Sequence, residues 1–174
     1  MQTSSTGHHL SILEKHRERW PSEAACAACA ASIAARIVAR PALRDAFIEL
    51  HGPLGAGKTT FVRYLLHALG VQGRVKSPTY AVMEAYDLPS ADEPFEIRHF
   101  DFYRFDDPQE WEDAGFREVF ASPALKLAEW PEKATGFLPL ADLRIEIEPD
   151  AAEARTVVLR AATARGVALL GGAA

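Results

Sequence analysis

The stretch His51-Gly52-Pro53-Leu54-Gly55-Ala56-Gly57-Lys58-Thr59-Thr60 decides the fold. Before it, Ala46-Phe47-Ile48-Glu49-Leu50 is short and mostly apolar, as a buried strand is. After it, Phe61, Val62, Leu65, Leu66 and Leu69 recur at helical spacing until Gly70 closes the pattern. A glycine loop joining strand to helix, with the spacing Gly52-x-x-x-x-Gly57-Lys58-Thr59, fits the Walker A pattern in its required setting. Glycines let backbone N–H groups surround a phosphate, and the helix N-terminus adds partial positive charge. Lys58 would reach the β- and γ-phosphates, and the Thr59 hydroxyl would coordinate Mg²⁺. The bland alternative is a glycine-rich turn with an accidental lysine.

Outward from the loop, Ser22 and Glu23 open a helix that runs to about Arg40, where Pro41 stops it. Thr79 to Tyr86 and Phe95 to Tyr103 read as an antiparallel pair of strands, separated by a breaker-rich segment. Asp106 to Gln109 begins a further helix whose apolar face is Phe116, Val119 and Phe120. Ala124 to Ala128 is another buried strand, and Leu143 to Ile147 with Thr156 to Leu159 suggest a terminal hairpin. The expected organisation is a polar, loose leader over 1–20, one phosphate-loop domain over 21–165 and a short uninformative tail over 166–174.

The 174 residues suffice for one domain with a real core, at 48% hydrophobic and 25% charged content. Mean hydropathy is -0.08, as in ordinary soluble proteins, and no apolar run approaches membrane-spanning length. The leader lacks a secretory pattern, so a cytoplasmic location is expected. A net charge of -5 argues against direct nucleic-acid binding, which needs clustered Lys and Arg. Cys26 and Cys29 lie in an Ala-rich helix, where small core-side residues are the simplest reading.

A phosphate loop needs a second acid for its metal, usually at the C-terminal end of a neighbouring buried strand. Glu129 stands there, beside Trp130 and Pro131, and the metal role is favoured over that of a solvated strand-end glutamate. Strand alternation puts His99, Asp101 and Tyr103 on one face, with Phe100 and Phe102 on the other. Asp101 would orient the attacking water or the metal's surroundings, or else form a structural pair with His or Arg. Thr79, in Ser77-Pro78-Thr79, would touch the metal or γ-phosphate, or merely sit in a proline-fixed turn.

Together HGPLGAGKTT, VKSPTYAVMEAY, HFDFYRFDDPQEWEDAGF and LAEWPEK, in this order, resemble the TsaE family collinearly from about Ser22 to about Arg165. That resemblance implies a P-loop α/β fold, a three-layer sandwich with a mixed, partly antiparallel sheet. It further implies Mg²⁺ and ATP as ligands, weak ATPase activity in isolation, TsaB-like and TsaD-like partners, and tRNA reached indirectly through them. The family's pattern gives Lys58, with Gly55, Ala56, Gly57, Thr59 and Thr60, to the phosphates, Thr59 and Glu129 to Mg²⁺, and Asp101 and Trp130 to turnover. Glu23 and Arg155 fall near positions bordering the nucleotide. Pro53 and Tyr80 depart from many relatives without removing a phosphate or metal ligand.

The first rival is a small-molecule kinase, although Phe105 to Ser122 offers only Arg117 for a phosphate-covering lid. A GTPase would need a guanine-reading N/T-K-x-D motif, which does not follow Glu129. A nucleotide-gated scaffold without turnover is the third reading, against which Asp101 and Glu129 argue.

Overall fold

A computed structural model of the chain describes residues 11–78, 81–88 and 93–173. Seven strands form one sheet: β1 Glu14–Trp20, β2 Phe47–His51, β3 Met83–Leu88, β4 Phe95–Asp101, β5 Leu125–Glu129, β6 Leu143–Pro149 and β7 Arg155–Ala161. Their spatial order is β1-β7-β6-β2-β5-β4-β3. β6, β2, β5 and β4 run parallel at the centre, while β1, β7 and β3 add antiparallel margins. This is the expected three-layer α/β sandwich with a mixed sheet.

Alternation sorts the two faces. Ile48, Leu50, Leu125, Leu127, Ile145 and Leu159 share one core with α1 Glu23–Ala39, α2 Lys58–Leu69 and α5 Ala164–Leu170. Phe47, Phe100, Phe102 and Ala128 face the other way, into an aromatic cluster with Trp111 and Phe116 of α3 Pro108–Asp113 and α4 Phe116–Ala121. Over β6 and its neighbours that second face carries ion pairs instead, Arg144 to Glu49 at 3.3 Å and Arg160 to Glu146 at 3.0 Å.

Four sequence expectations are corrected. The leader, expected to be loose over 1–20, contains β1, which pairs with β7 from Glu14 to Trp20; residues 1–10 lie outside the described residues. The one apolar side chain of β1, Trp20, is buried and stacks on Phe61 at 5.9 Å, so backbone pairing plus a single anchor replaces the usual alternation. The tail is α5, capped by the Thr163 hydroxyl, which accepts from the Gly166 amide at 3.1 Å, and it buries Ala168, Leu169 and Leu170. The helix from Asp106 is two short helices, because Gly115 takes a left-handed φ of 67° between them. Finally, β3 is shifted to Met83–Leu88, since Leu88 is buried opposite Phe95. Ser22 stands at the N-cap of α1 as expected, although its side chain makes no capping bond.

The 3-10 turn Pro41–Asp45 carries Asp45, whose carboxylate accepts from the buried Lys126 ammonium at 2.9 Å. Burial alone would raise the Asp45 pKa; bonds from Lys126 and the Ala124 amide, with the charges of Lys126 and Arg165, outweigh it and hold the carboxyl below its ordinary 3.8. The folded value is depressed, so this contribution is present above pH 3.8 and is lost as pH falls below it. Asp45→Ala leaves a buried ammonium unpaired and costs about 2 kcal/mol at neutral pH, less than a fully buried pair because Asp45 is half exposed. Urea unfolding at pH 7 reads this loss; a variant as stable as the parent would show that Lys126 finds another acceptor.

Candidate functional site

The phosphate-type loop leaves the C-terminal end of β2 at Gly52 and enters α2 at Lys58. Gly57, immediately before the helix, has φ 108°, a conformation that glycine takes without cost. Gly52 has φ 147°, and a Cβ there would lie 2.3 Å from the Ile147 carbonyl oxygen, so only glycine lets the loop start this close to β6. The first amides of the twelve-residue α2 therefore converge with the loop's backbone, a surface suited to phosphate oxygens. Lys58 is buried and donates to the carbonyls of Gly52 at 2.5 Å and Pro53 at 2.9 Å, with its Nζ 4.0 Å from the Trp130 ring centre. Burial lowers the pKa of this amine, while the charges of Glu129, Glu132, Asp101 and Glu148 pull it back up.

Parallel pairing of β4 with β5 sets Asp101 opposite Glu129. Both sit at strand ends beside the N-terminus of α2: the Thr59 hydroxyl donates to Glu129 Oε2 at 3.1 Å. The Ser77 hydroxyl donates to Asp101 and also lies 3.4 Å from Glu129 Oε2. The two acids titrate apart. Burial would push Glu129 up, but the neighbouring His99 ring, then Thr59 and Asp101, hold it below the usual carboxylate range. For Asp101 burial dominates and raises the pKa, reinforced by the Glu129 charge and opposed by Ser77 and the Tyr103 amide. An ionised acid beside a hydroxyl and a proton-seeking acid next to it are what metal binding and general-base work require.

The donor set fits Mg²⁺. Glu129 is 1% exposed, its Oε1 has no hydrogen-bond partner among the described residues, and its other oxygen faces Thr59. Among the described residues no three His, Cys, Asp or Glu side chains cluster as a self-sufficient cation site. Mg²⁺ commonly uses one carboxylate and completes its octahedron with water and substrate phosphates.

On the other flank of the loop, Glu23, Ala56, Gly57, Thr60 and Arg155 line a cavity of about 110 Å³ with Trp20. Arg155 donates to the carbonyl of Ala56 at 2.7 Å and of Gly55 at 3.4 Å, bracing the loop from β7. Glu23 accepts from the Tyr64 hydroxyl at 2.7 Å. Thus Lys58, Thr59, Asp101, Glu129 and Trp130 meet on one side of the loop, while Glu23 and Arg155 meet Ala56, Gly57 and Thr60 on the other. Thr79 and Tyr80 lie outside the described residues. Tyr103 falls beyond the end of β4 and packs on Trp130 at 4.9 Å, so the polar trio expected on one face reduces to His99 and Asp101. The roles of Ser77 and of the carbonyls held by Arg155 escaped sequence reasoning. A hydroxyl next to Pro78 was the only signal for the first, and a bond between residues 99 positions apart leaves none for the second.

Among the described residues no helix is long and apolar enough to cross a membrane. Cys26 and Cys29 are free, and burial pushes the Cys26 thiol up to about 12 and that of Cys29 further. Neither is a ready thiolate.

Comparison with known proteins matches residues 20–157 to the model of the family described as threonylcarbamoyl adenosine biosynthesis protein TsaE. The tRNA threonylcarbamoyladenosine biosynthesis protein TsaE of Haemophilus influenzae is 46% identical over 101 residues, covering 58% of this chain and 61% of that protein. Its counterpart in Bacillus subtilis is 34% identical over 114 residues, covering 66% and 68%. The matched segment therefore spans less than two thirds of the Haemophilus protein's length. The crystal structure of Bacillus subtilis YdiB superposes with a TM-score of 0.70 at 23% identity, covering 92% of this chain and 95% of that one, which shows a shared fold.

Proposed function

Because the chain belongs to the TsaE family, we propose that it is the ATP-binding and ATP-hydrolysing subunit used in forming threonylcarbamoyladenosine in tRNA. The observation that carries this reading is the carboxylate of Glu129 held between the Thr59 hydroxyl and the Ser77 and Asp101 pair at the mouth of the loop. The loop amides and Lys58 bind the triphosphate, the amine exchanging its carbonyl partners for β- and γ-oxygens. Thr59 and Glu129 would hold Mg²⁺, which supplies charge neutralisation on those oxygens. Asp101, biased by burial toward accepting a proton, orients water for attack on the terminal phosphorus and takes its proton. Trp130, with a left-handed φ of 55° that aims its ring over Lys58, keeps water from the amine. Glu23, Thr60 and Arg155 border the remainder of the nucleotide.

The acidic surface, net -5, leaves tRNA to TsaB-like and TsaD-like partners in the cytoplasm, with hydrolysis resetting their assembly between cycles. Phosphate release measured with and without those partners tests the proposal: weak turnover alone and strong stimulation in the complex are expected. A second reading, a small-molecule kinase, draws on a cavity of about 300 Å³ beside Asp101, lined by Ser77, Val82, Tyr103, Arg104 and Glu110. Transfer of the phosphoryl group to a metabolite instead of water would establish that reading and overturn the first.

A further inference from the structure

His99 is fully buried on β4, on the same face as Ile97 and Asp101, yet among the described residues neither ring nitrogen has a hydrogen-bond partner. The polar group facing it is Glu129 Oε1, 3.8 Å from Nε2, which also lacks a hydrogen-bond partner. A buried polar group without a partner is costly, so two such groups turned toward each other demand an account. On the same face of β4, Ile97 two residues earlier joins the apolar core, so His99 sets a polar ring where the strand otherwise buries an apolar side chain.

Glu129 has two differently employed oxygens. Oε2 accepts from Thr59 and lies near Ser77, toward the loop, while Oε1 points inward to His99. A carboxylate with a fixed inner oxygen cannot swing about its terminal torsion, so its outer oxygen stays aimed at Thr59. We infer that His99 is a positioning residue, whose Nε2–H closes on Glu129 Oε1 when the outer oxygen takes up the cation, fixing the carboxylate plane from behind. A shift of about 1 Å brings 3.8 Å into hydrogen-bond range. The inference deepens the proposed function and rests on it, since it concerns the same metal carboxylate.

The test separates this role from simple packing. His99→Leu fills the site without a donor and leaves Glu129 Oε1 facing an apolar side chain. Its thermal midpoint, without nucleotide, is expected to fall only slightly, since the 3.8 Å approach to Glu129 is not a hydrogen bond. Its affinity for Mn²⁺ in the presence of ATP, read by electron paramagnetic resonance, is expected to fall about 10- to 100-fold. His99→Gln, which keeps an N–H near the Nε2 position, should recover most of that affinity. Unchanged Mn²⁺ affinity, whatever the midpoint, would reduce His99 to packing and overturn the inference. Should His99→Leu fail to fold, the ¹⁵N signals of the His99 ring in the parent decide: a proton on Nε2 that shifts when Mn²⁺ is replaced by titrated Mg²⁺ with ATP supports the role, and a bare Nε2 refutes it. Absence of Mn²⁺ and ATP binding by the parent itself would instead sink the proposed function.

Discussion

Lys58→Ala is expected to lose MgATP binding by at least about 100-fold, the largest single effect at the site. The amine is buried, sits 2.5 and 2.9 Å from two loop carbonyls, and is the sole cation placed within the loop itself. Arg155 cannot substitute, because its guanidinium is committed to the carbonyls of Ala56, Gly55, Glu153 and Ala154 from the opposite flank. Trp130 provides the measurement: with its ring 4.0 Å from Nζ, its fluorescence should change on adding MgATP to the parent and stay flat in the variant. Tight binding retained by Lys58→Ala would mean that the loop amides alone hold the triphosphate.

Asp101→Asn should lower ATP turnover by about 10²- to 10⁴-fold, the range of a lost general base, with nucleotide affinity changed only a few-fold. The amide preserves shape: its oxygen can still accept from the Tyr103 amide at 2.9 Å while its NH₂ donates to the Ser77 hydroxyl, so the local fold is kept while proton acceptance is lost. Comparing the dissociation constant with the single-turnover rate makes the distinction. A fall in affinity with an unchanged rate would assign Asp101 to anchoring the Ser77 segment.

The core of the site was legible because its chemistry is local. Gly52, Gly57, Lys58 and Thr59 lie within eight residues, and the flanking strand and helix announce themselves by periodicity. Asp101 and Glu129 were legible as strand-end acids, though only the parallel register of β4 and β5 brings them together. Long-range contacts were not. Arg155 reaches the loop because β7 passes its flank, and His99 faces Glu129 because β5 lies between β4 and β2 in the sheet. Glu14–Trp20 hid for a different reason: its strand is held by main-chain pairing, and Glu-Lys-His-Arg-Glu-Arg carries no hydrophobic alternation. The tail hid because small residues of α5 dock by close approach, Gly166 lying so near the Asp142 carbonyl that a Cβ would not fit. A hydroxyl cap at Thr163 was its only local mark.

β1 also sets where this chain can be trimmed. The family match begins at residue 20, which invites a shortened version starting there. Such a version would strip six of the seven residues paired with β7 and leave a bare rim of main-chain donors and acceptors, a template for self-association. It would also put Trp20, now a ragged end, in charge of bracing Phe61 in the first turn of α2, one residue beyond Thr60. The charged strip that looks dispensable in the sequence is thus the molecule's selvedge, and expression boundaries belong upstream of Glu14.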